Sequence, residues 1–335
     1  FRLLAQTDKD TCSNFSCCST DLTPSGVMIS HVHIKNEWMI SYRFMNMYMS
    51  DLASGTNLEN KEDVFVNYLM VPEKMSMQMH MLMAMYGITN RLTAMAMLNY
   101  QMNSMDMSMY TMNHTHGNTT MGSPNHSMKT NGLGDTKLHV LYGIVQKNTC
   151  QLLISLGASI PTGTIQLKGA SDDPMYPNTH YPYGMQLGSG TIDLLPGISY
   201  LYQRNQLAMS GSISGTYRAG YNSYGYKLGN EATVNSWLSY QWLNFISSSL
   251  RLEGNYSGAI EGHDPALYYY TEPSTNPANY GGKRINAYVG SSIHFKKCLR
   301  NNRLGIEYGM PLFQDLNGIQ LKQKYVLNAS WSFTF

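Results

Sequence analysis

The chain has 335 residues, 13% of them charged, with 23 Lys and Arg against 21 Asp and Glu for a formal net charge of +2. That balance excludes the basic, phosphate-neutralising surface of a nucleic-acid-binding protein, and so low a share of charge is unusual for a soluble domain, where about 25% is typical. No run of 18 apolar residues exists, which excludes a transmembrane helix, whereas low charge with 25 tyrosines suits a transmembrane β-barrel, whose strands alternate rather than run apolar.

In chain order, Phe1-Arg-Leu-Leu-Ala5-Gln6 reads as the tail of a secretory signal cut near Ala5. Residues 1–36 form a Cys/His-rich segment, expected at the periplasmic mouth or folded into a lumen, and residues 37–335 form the barrel. The segment carries Cys12, Cys17, Cys18, His31 and His33, with Met28 beside them. These thiols and imidazoles are candidate ligands for a soft metal ion; a disulfide between two of the cysteines is the alternative in an oxidising compartment. The other cysteines, Cys150 and Cys298, make the total odd, so one thiol lacks a partner within the chain.

The first predicted strand, near 37–49, sets Trp38, Ile40, Tyr42 and Phe44 on one face and Met39, Ser41, Arg43, Met45, Met47 and Met49 on the other. Period-2 alternation puts Arg43 with the methionines, and burying charge in lipid is costly, so that face is expected to be the lumen. The second strand, near 74–86, places methionine at every second position: Met75, Met77, Met79, Met81, Met83 and Met85. Its other face mixes Leu82, Ala84 and Tyr86 with Ser76, Gln78 and His80. The inward assignment of the methionines is expected, with the polar trio above the hydrocarbon band; the opposite assignment puts Met in lipid and His80 in the lumen. The third strand, near 91–111, sets Leu92, Ala94, Ala96, Leu98 and Tyr100 against Arg91, Met95, Met97, Asn99, Asn103, Met105, Met107 and Met109. Thioether sulfur is a soft ligand suited to Cu(I), and it is equally a flexible apolar filler. The following loop adds His114, His116 and His126, with Met112, Met121 and Met128, and lacks the acidic cluster that Ca²⁺ or Mg²⁺ would need.

Further alternating segments lie near 135–146, 150–161, 190–203, 206–219, 231–243, 245–260, 284–297, 302–312 and 319–335, making about 12 antiparallel strands. Tight connections alternate with long ones, as periplasmic turns alternate with extracellular loops. The exception is the short eleventh gap, from Phe313 to Gly318. An even count puts both termini in the periplasm. Inward positions hold Arg218, Arg251, Glu253, Arg303 and Glu307, read with Arg43 as an ion-paired filler of the lumen. The last strand alternates Tyr325, Leu327, Ala329, Trp331, Phe333 and Phe335 with mostly polar residues, and its terminal aromatic resembles the assembly signal of bacterial outer-membrane barrels.

Two stretches carry a further resemblance. Gly26-Val27-Met28-Ile-Ser-His31-Val-His33-Ile-Lys-Asn-Glu37-Trp38-Met39-Ile-Ser41-Tyr42-Arg43-Phe-Met45-Asn-Met47-Tyr-Met49 and Lys74-Met75-Ser-Met77-Gln-Met79-His80-Met81-Leu-Met83-Ala-Met85-Tyr86-Gly87 resemble an outer-membrane transporter family loosely related to the phenol-degradation meta-pathway barrels. Asn36 and Gln78 depart from that family's pattern. The resemblance implies a pore-like barrel in the bacterial outer membrane, among lipid and lipopolysaccharide, without fixing a substrate.

Three functions follow as expectations. The first is a copper channel for uptake: His114, His116 and His126 capture the ion, the methionines pass it on, and Cys12, Cys17, Cys18, His31 and His33 receive it, with a periplasmic metallochaperone as the next carrier. The second is a channel for small hydrophobic or aromatic molecules. The third is an accessory barrel binding other outer-membrane proteins without transport. No motif marks a Ser–His–carboxylate site, so an enzyme is not expected.

Overall fold

The computed structural model describes residues 21–109, 125–169, 179–295 and 301–335. The alternating segments form strands. β1 is Trp38–Gly55, β2 Asn57–Leu58, β3 Met70–Gly87, β4 Leu92–Met109, β5 Asn125–Leu133 and β6 Thr136–Lys147. β7 is Cys150–Ile160, β8 Asp193–Arg204, β9 Leu207–Arg218, β10 Tyr226–Lys227 and β11 Glu231–Leu243. β12 is Ile246–Ser257, β13 Glu261–Gly262, β14 Gly282–His294 and β15 Asn302–Thr334. A one-turn helix α1, Lys61–Phe65, sits in the first long connection, where sequence patterning gave no sign of it.

Eleven of these strands pair antiparallel, in order from β15 back to β1, and β15 pairs again with β1 to close the ring; β2 pairs with β1 and β5 with β4 beside it, and β10 and β13 form a separate two-stranded sheet. An all-antiparallel ring closes only with an even number of staves. The extra stave comes from β15, whose first part pairs with β14 and whose last part pairs with β1. Its two parts lie side by side: Gln314 Nε2 donates to the Gln323 carbonyl at 3.0 Å, Asn328 Nδ2 donates to Glu307 Oε2 at 3.2 Å, and Tyr308 stacks on Tyr325. The reversal falls at Gly318, whose φ of +61° suits a residue without Cβ. The barrel therefore has the expected even count of staves, and the short eleventh gap is a tight hairpin.

Residues with outward positions form the lipid belt: Leu82, Leu98, Val140, Ile213, Leu250, Val289 and Ile306 are all exposed. Trp38 packs on Tyr86 at the end that carries Phe335, and Tyr48, Tyr308 and Tyr325 stack further up, as aromatic girdles flank an apolar band. β3 has 18 residues, roughly 60 Å of chain, more than a band about 25 Å tall requires even when strands tilt. The surplus of β1, β3 and β4 stands beyond the belt, at the end away from Phe335. There β5 continues the line of β6, pairing with the upper half of β4 while β6 pairs with the lower half. Its outward residues, such as Lys129 and Asn131, face no lipid, so no apolar alternation marked it as a strand.

Both ends of the lumen are filled. Residues 21–37 enter from the end that carries Phe335. Leu22, Val27, Val32 and His33 are buried there, and the segment hydrogen-bonds to the wall through His33 N–H to Thr93 Oγ1 (2.8 Å) and Arg43 Nη1 to the Ser25 carbonyl (3.0 Å). The opposite end is roofed by the long connections. Tyr183, Tyr226, Ile260 and Leu267 cluster with Tyr280, and His180 Nδ1 lies 2.7 Å from Asp264 Oδ2. Glu272 in this cap is buried, which pushes its carboxyl up to about 7 although Ser274 Oγ donates to it at 2.5 Å.

Candidate functional site

Cross-strand register turns the methionines into rungs, because opposed residues of an antiparallel pair share a face. Nearest the Phe335 end the rung is Met39–Met85–Met95–His139. Above it Met83 pairs with Met97, Met45 with Met79, and Met47 with Met77. The highest full rung is Met49–Met75–Met105–Met128, and Met107 faces His126 above that. Met83 is 1% exposed, whereas its neighbour Leu82 is 51% exposed. The methionines of β3 therefore face the lumen. His80 lies on the outer face, its Nδ1 2.7 Å from the Tyr42 hydroxyl and its ring against Phe44.

The wall forms two clusters. Met81, Met83, Met85, Met95 and Met97 pack with Met39, Leu141 and the plug residues Val32 and Ile29. Met75, Met105, Met107 and Met128 pack with Val64 of α1 and Met185 of the cap. Between plug and cap lies a cavity of about 420 Å³ with two unlike sides. Met45, Met79, Met81, Met95 and Met97 line one; Ser199, Ser212, Ser214, Thr233, Asn235 and Asn255 line the other. Lys137 and His139 reach it from β6. His139 is buried with its Nδ1 unpartnered, and it has room because Gly157, opposite, has no Cβ to strike its ring.

One expected site residue falls elsewhere, and five lie outside the described residues. Met109 is 37% exposed at the end of β4 and is not part of the wall; it lies beyond the last rung, where the lumen face ends. Cys12, Cys17, Cys18, His114 and His116 lie outside the described residues. Among the described residues, no three His, Cys, Asp or Glu side chains converge as a metal-holding group; the soft donors that share a face are thioethers. Met39, Met128 and His139 belong to the wall although they were not singled out as ligands. Inward parity was the available signal for Met39 and His139; Met128 lies on β5, which no alternation marks.

The charged residues divide into three sets rather than one network. Arg251 forms a bidentate pair with Glu307, both hydrogen bonds at 2.9 Å, contacts Glu253 at 2.5 Å, and lies 3.6 Å from the Tyr288 ring centre. Arg303 reaches the plug instead, donating to Asp21 Oδ2 at 2.7 Å and to the Thr23 carbonyl. Arg218 sits higher, paired with Asp193 and, at 3.4 Å, with Glu231. Gly26 of the plug lies against the Arg251–Glu307 pair, where a Cβ would collide with both.

No family model and no curated protein matches the chain. Among solved structures, an outer membrane channel from Pseudomonas putida F1 is 13% identical, with a TM-score of 0.59, 94% of this chain covered and 100% of that one. KdgM porin is 9% identical with a TM-score of 0.41, covering 89% of this chain and 99% of its own. A FadL homologue of Pseudomonas aeruginosa is 9% identical, with a TM-score of 0.42 and 90% of each chain covered. The first likeness shows a shared fold. The protein is a β-barrel of the outer-membrane type, antiparallel and closed.

Proposed function

We propose that this barrel is a channel-like, non-enzymatic protein of the outer membrane that handles copper, taking Cu(I) inward along its methionine wall. The observation that carries the reading is the shared lumen face of Met45, Met79, Met81, Met95 and Met97 on one cavity. Soft thioethers select Cu(I) over hard cations, and passage needs several weak, exchangeable sites rather than one tight one. His126 at the top and His139 at the bottom extend the row with imidazoles, which accept Cu(II) as well. A periplasmic metallochaperone is the partner this reading calls for, and lipopolysaccharide its outer neighbour.

The test is titration of the purified protein with Cu(I) or Ag(I), wild type against the triple variant Met77, Met79, Met81→Leu. Leucine conserves volume and apolarity but removes sulfur. The reading expects a lower binding stoichiometry in the variant; equal stoichiometry sinks it. The second reading, a channel for small hydrophobic or aromatic molecules, is supported by the same cavity's thioether side. Organic ligand bound in the cavity with no copper or silver uptake would favour it.

A further inference from the structure

His33 of the plug is 1% exposed. Its Nδ1 lies 2.9 Å from Glu37 Oε2, and a carboxylate only accepts, so Nδ1 carries the proton. Nε2 then holds a lone pair, and that atom is buried without a hydrogen-bond partner. An orphaned buried acceptor is costly, and a carboxylate holding the far nitrogen is the arrangement that orients a metal-ligating histidine. The His31 ring stands edge-on at 4.9 Å between centroids. His31 in turn lines a cavity of about 20 Å³ with Met28, Met39 and Met85 and with the opposite charges of Asp21 and Arg43, a volume that holds one water-sized occupant; His33 stands beside this cavity, against His31. Val32, between the two histidines, packs on the cluster that contains Met39, Met85 and Met95.

We infer that the junction of plug and wall is a built site for one soft monovalent cation, Cu(I) in function. His33 Nε2, His31 and the thioethers of Met39 and Met85 supply the donors, and Glu37 acts as a positioning residue. The inference rests on the copper reading and sharpens it: the wall holds ions weakly and in passing, whereas this mixed nitrogen–sulfur site is the tightest and the last before the periplasm. Glu37 sets the tautomer and ring orientation of His33 without touching the ion.

The experiment uses the full-length protein, folded by the criterion of heat-modifiable migration. Cu(I) is titrated against a chromophoric Cu(I) chelator, and copper K-edge absorption counts nitrogen and sulfur neighbours. The wild type is expected to show one site tighter than the rest, with both kinds of neighbour. Glu37→Gln is expected to weaken that site about 10- to 100-fold while leaving the number of weaker sites unchanged. His33→Gln is expected to lower the nitrogen count of its shell, leaving that of His31, and it serves also if Glu37→Gln does not assemble. If both variants keep the wild-type affinity and nitrogen shell, the inference is overturned, and the copper reading stands provided that the triple Met→Leu variant still loses sites. A wild type that takes up no Cu(I) overturns both.

Discussion

The half of the lumen built by β1, β3 and β4 and the half built by β11, β12, β14 and β15 fill the same barrel with opposite chemistry. On the first, buried thioethers pack on one another, and their sulfurs have no fixed hydrogen-bond partners. On the second, Arg251, Glu253 and Glu307 are locked with Asn235, Tyr288 and Asn328 by directional bonds. Flexible apolar side chains tolerate exchange and an incoming soft ion. A paired buried charge tolerates neither loss nor displacement of its partner. The stiff half positions the plug at Gly26, and the soft half meets the plug's histidines.

The largest effect expected from breaking this contrast is Arg251→Ala. It strands Glu307, 1% exposed, as an uncompensated charge, and the cost of breaking such a pair is about 3–5 kcal/mol. Thermal unfolding in detergent, followed by heat-modifiable migration, should show a strong drop in midpoint; an unchanged midpoint would mean that the pair is not what stiffens this half. On the soft half, Met83→Ala should cost about 2–5 kcal/mol through the cavity it leaves, and Met83→Leu less than about 1.5 kcal/mol. Equal losses for the two would show that sulfur, rather than volume, holds the wall together.

The cap offers a pH test. The Glu272 carboxyl has an ordinary value of 4.5 and is raised to about 7 in the folded cap. Between those values the folded cap keeps a proton that the unfolded loop has released, so its stability falls as pH rises through that window. Hydrogen exchange over residues 258–281 should be slower at about pH 5 than at about pH 8 after correction for intrinsic rates, and Glu272→Gln should abolish the difference. The smallest effect is expected at the rim pair of Lys324 with Asp51, both exposed: Lys324→Gln should change stability by no more than about 1 kcal/mol and less in high salt.

Much of the fold was legible because alternation is a local property. Arg43 sharing a face with Met45 and Asn99 sharing one with Met97 were enough to turn those methionines inward, since a charge or amide in lipid is costly. The final strand, from Tyr325 to Phe335, was legible for the same reason. β5 was not, because above the lipid belt neither face must be apolar. Met109 was misplaced because parity continues past the point where the lumen ends. For β3 the pattern left two answers open, with His80 competing against Met79; pairing with Arg43's strand on one side and Asn99's on the other settles it inward.

What only the assembled barrel decided is who meets whom. Parity tells which side of a strand a residue takes, but not its height or its neighbour two strands away, which depend on register and closure. The rungs of Met39, Met85, Met95 and His139, the division of the arginines among cap, wall and plug, and the meeting of His31 and His33 with Met39 and Met85 all join residues far apart in the chain. Side-chain alternation is imposed by the backbone of each strand alone, so it can be read residue by residue. The approach of distant strands is imposed by hydrogen-bond register around a closed ring, and no single segment carries that information.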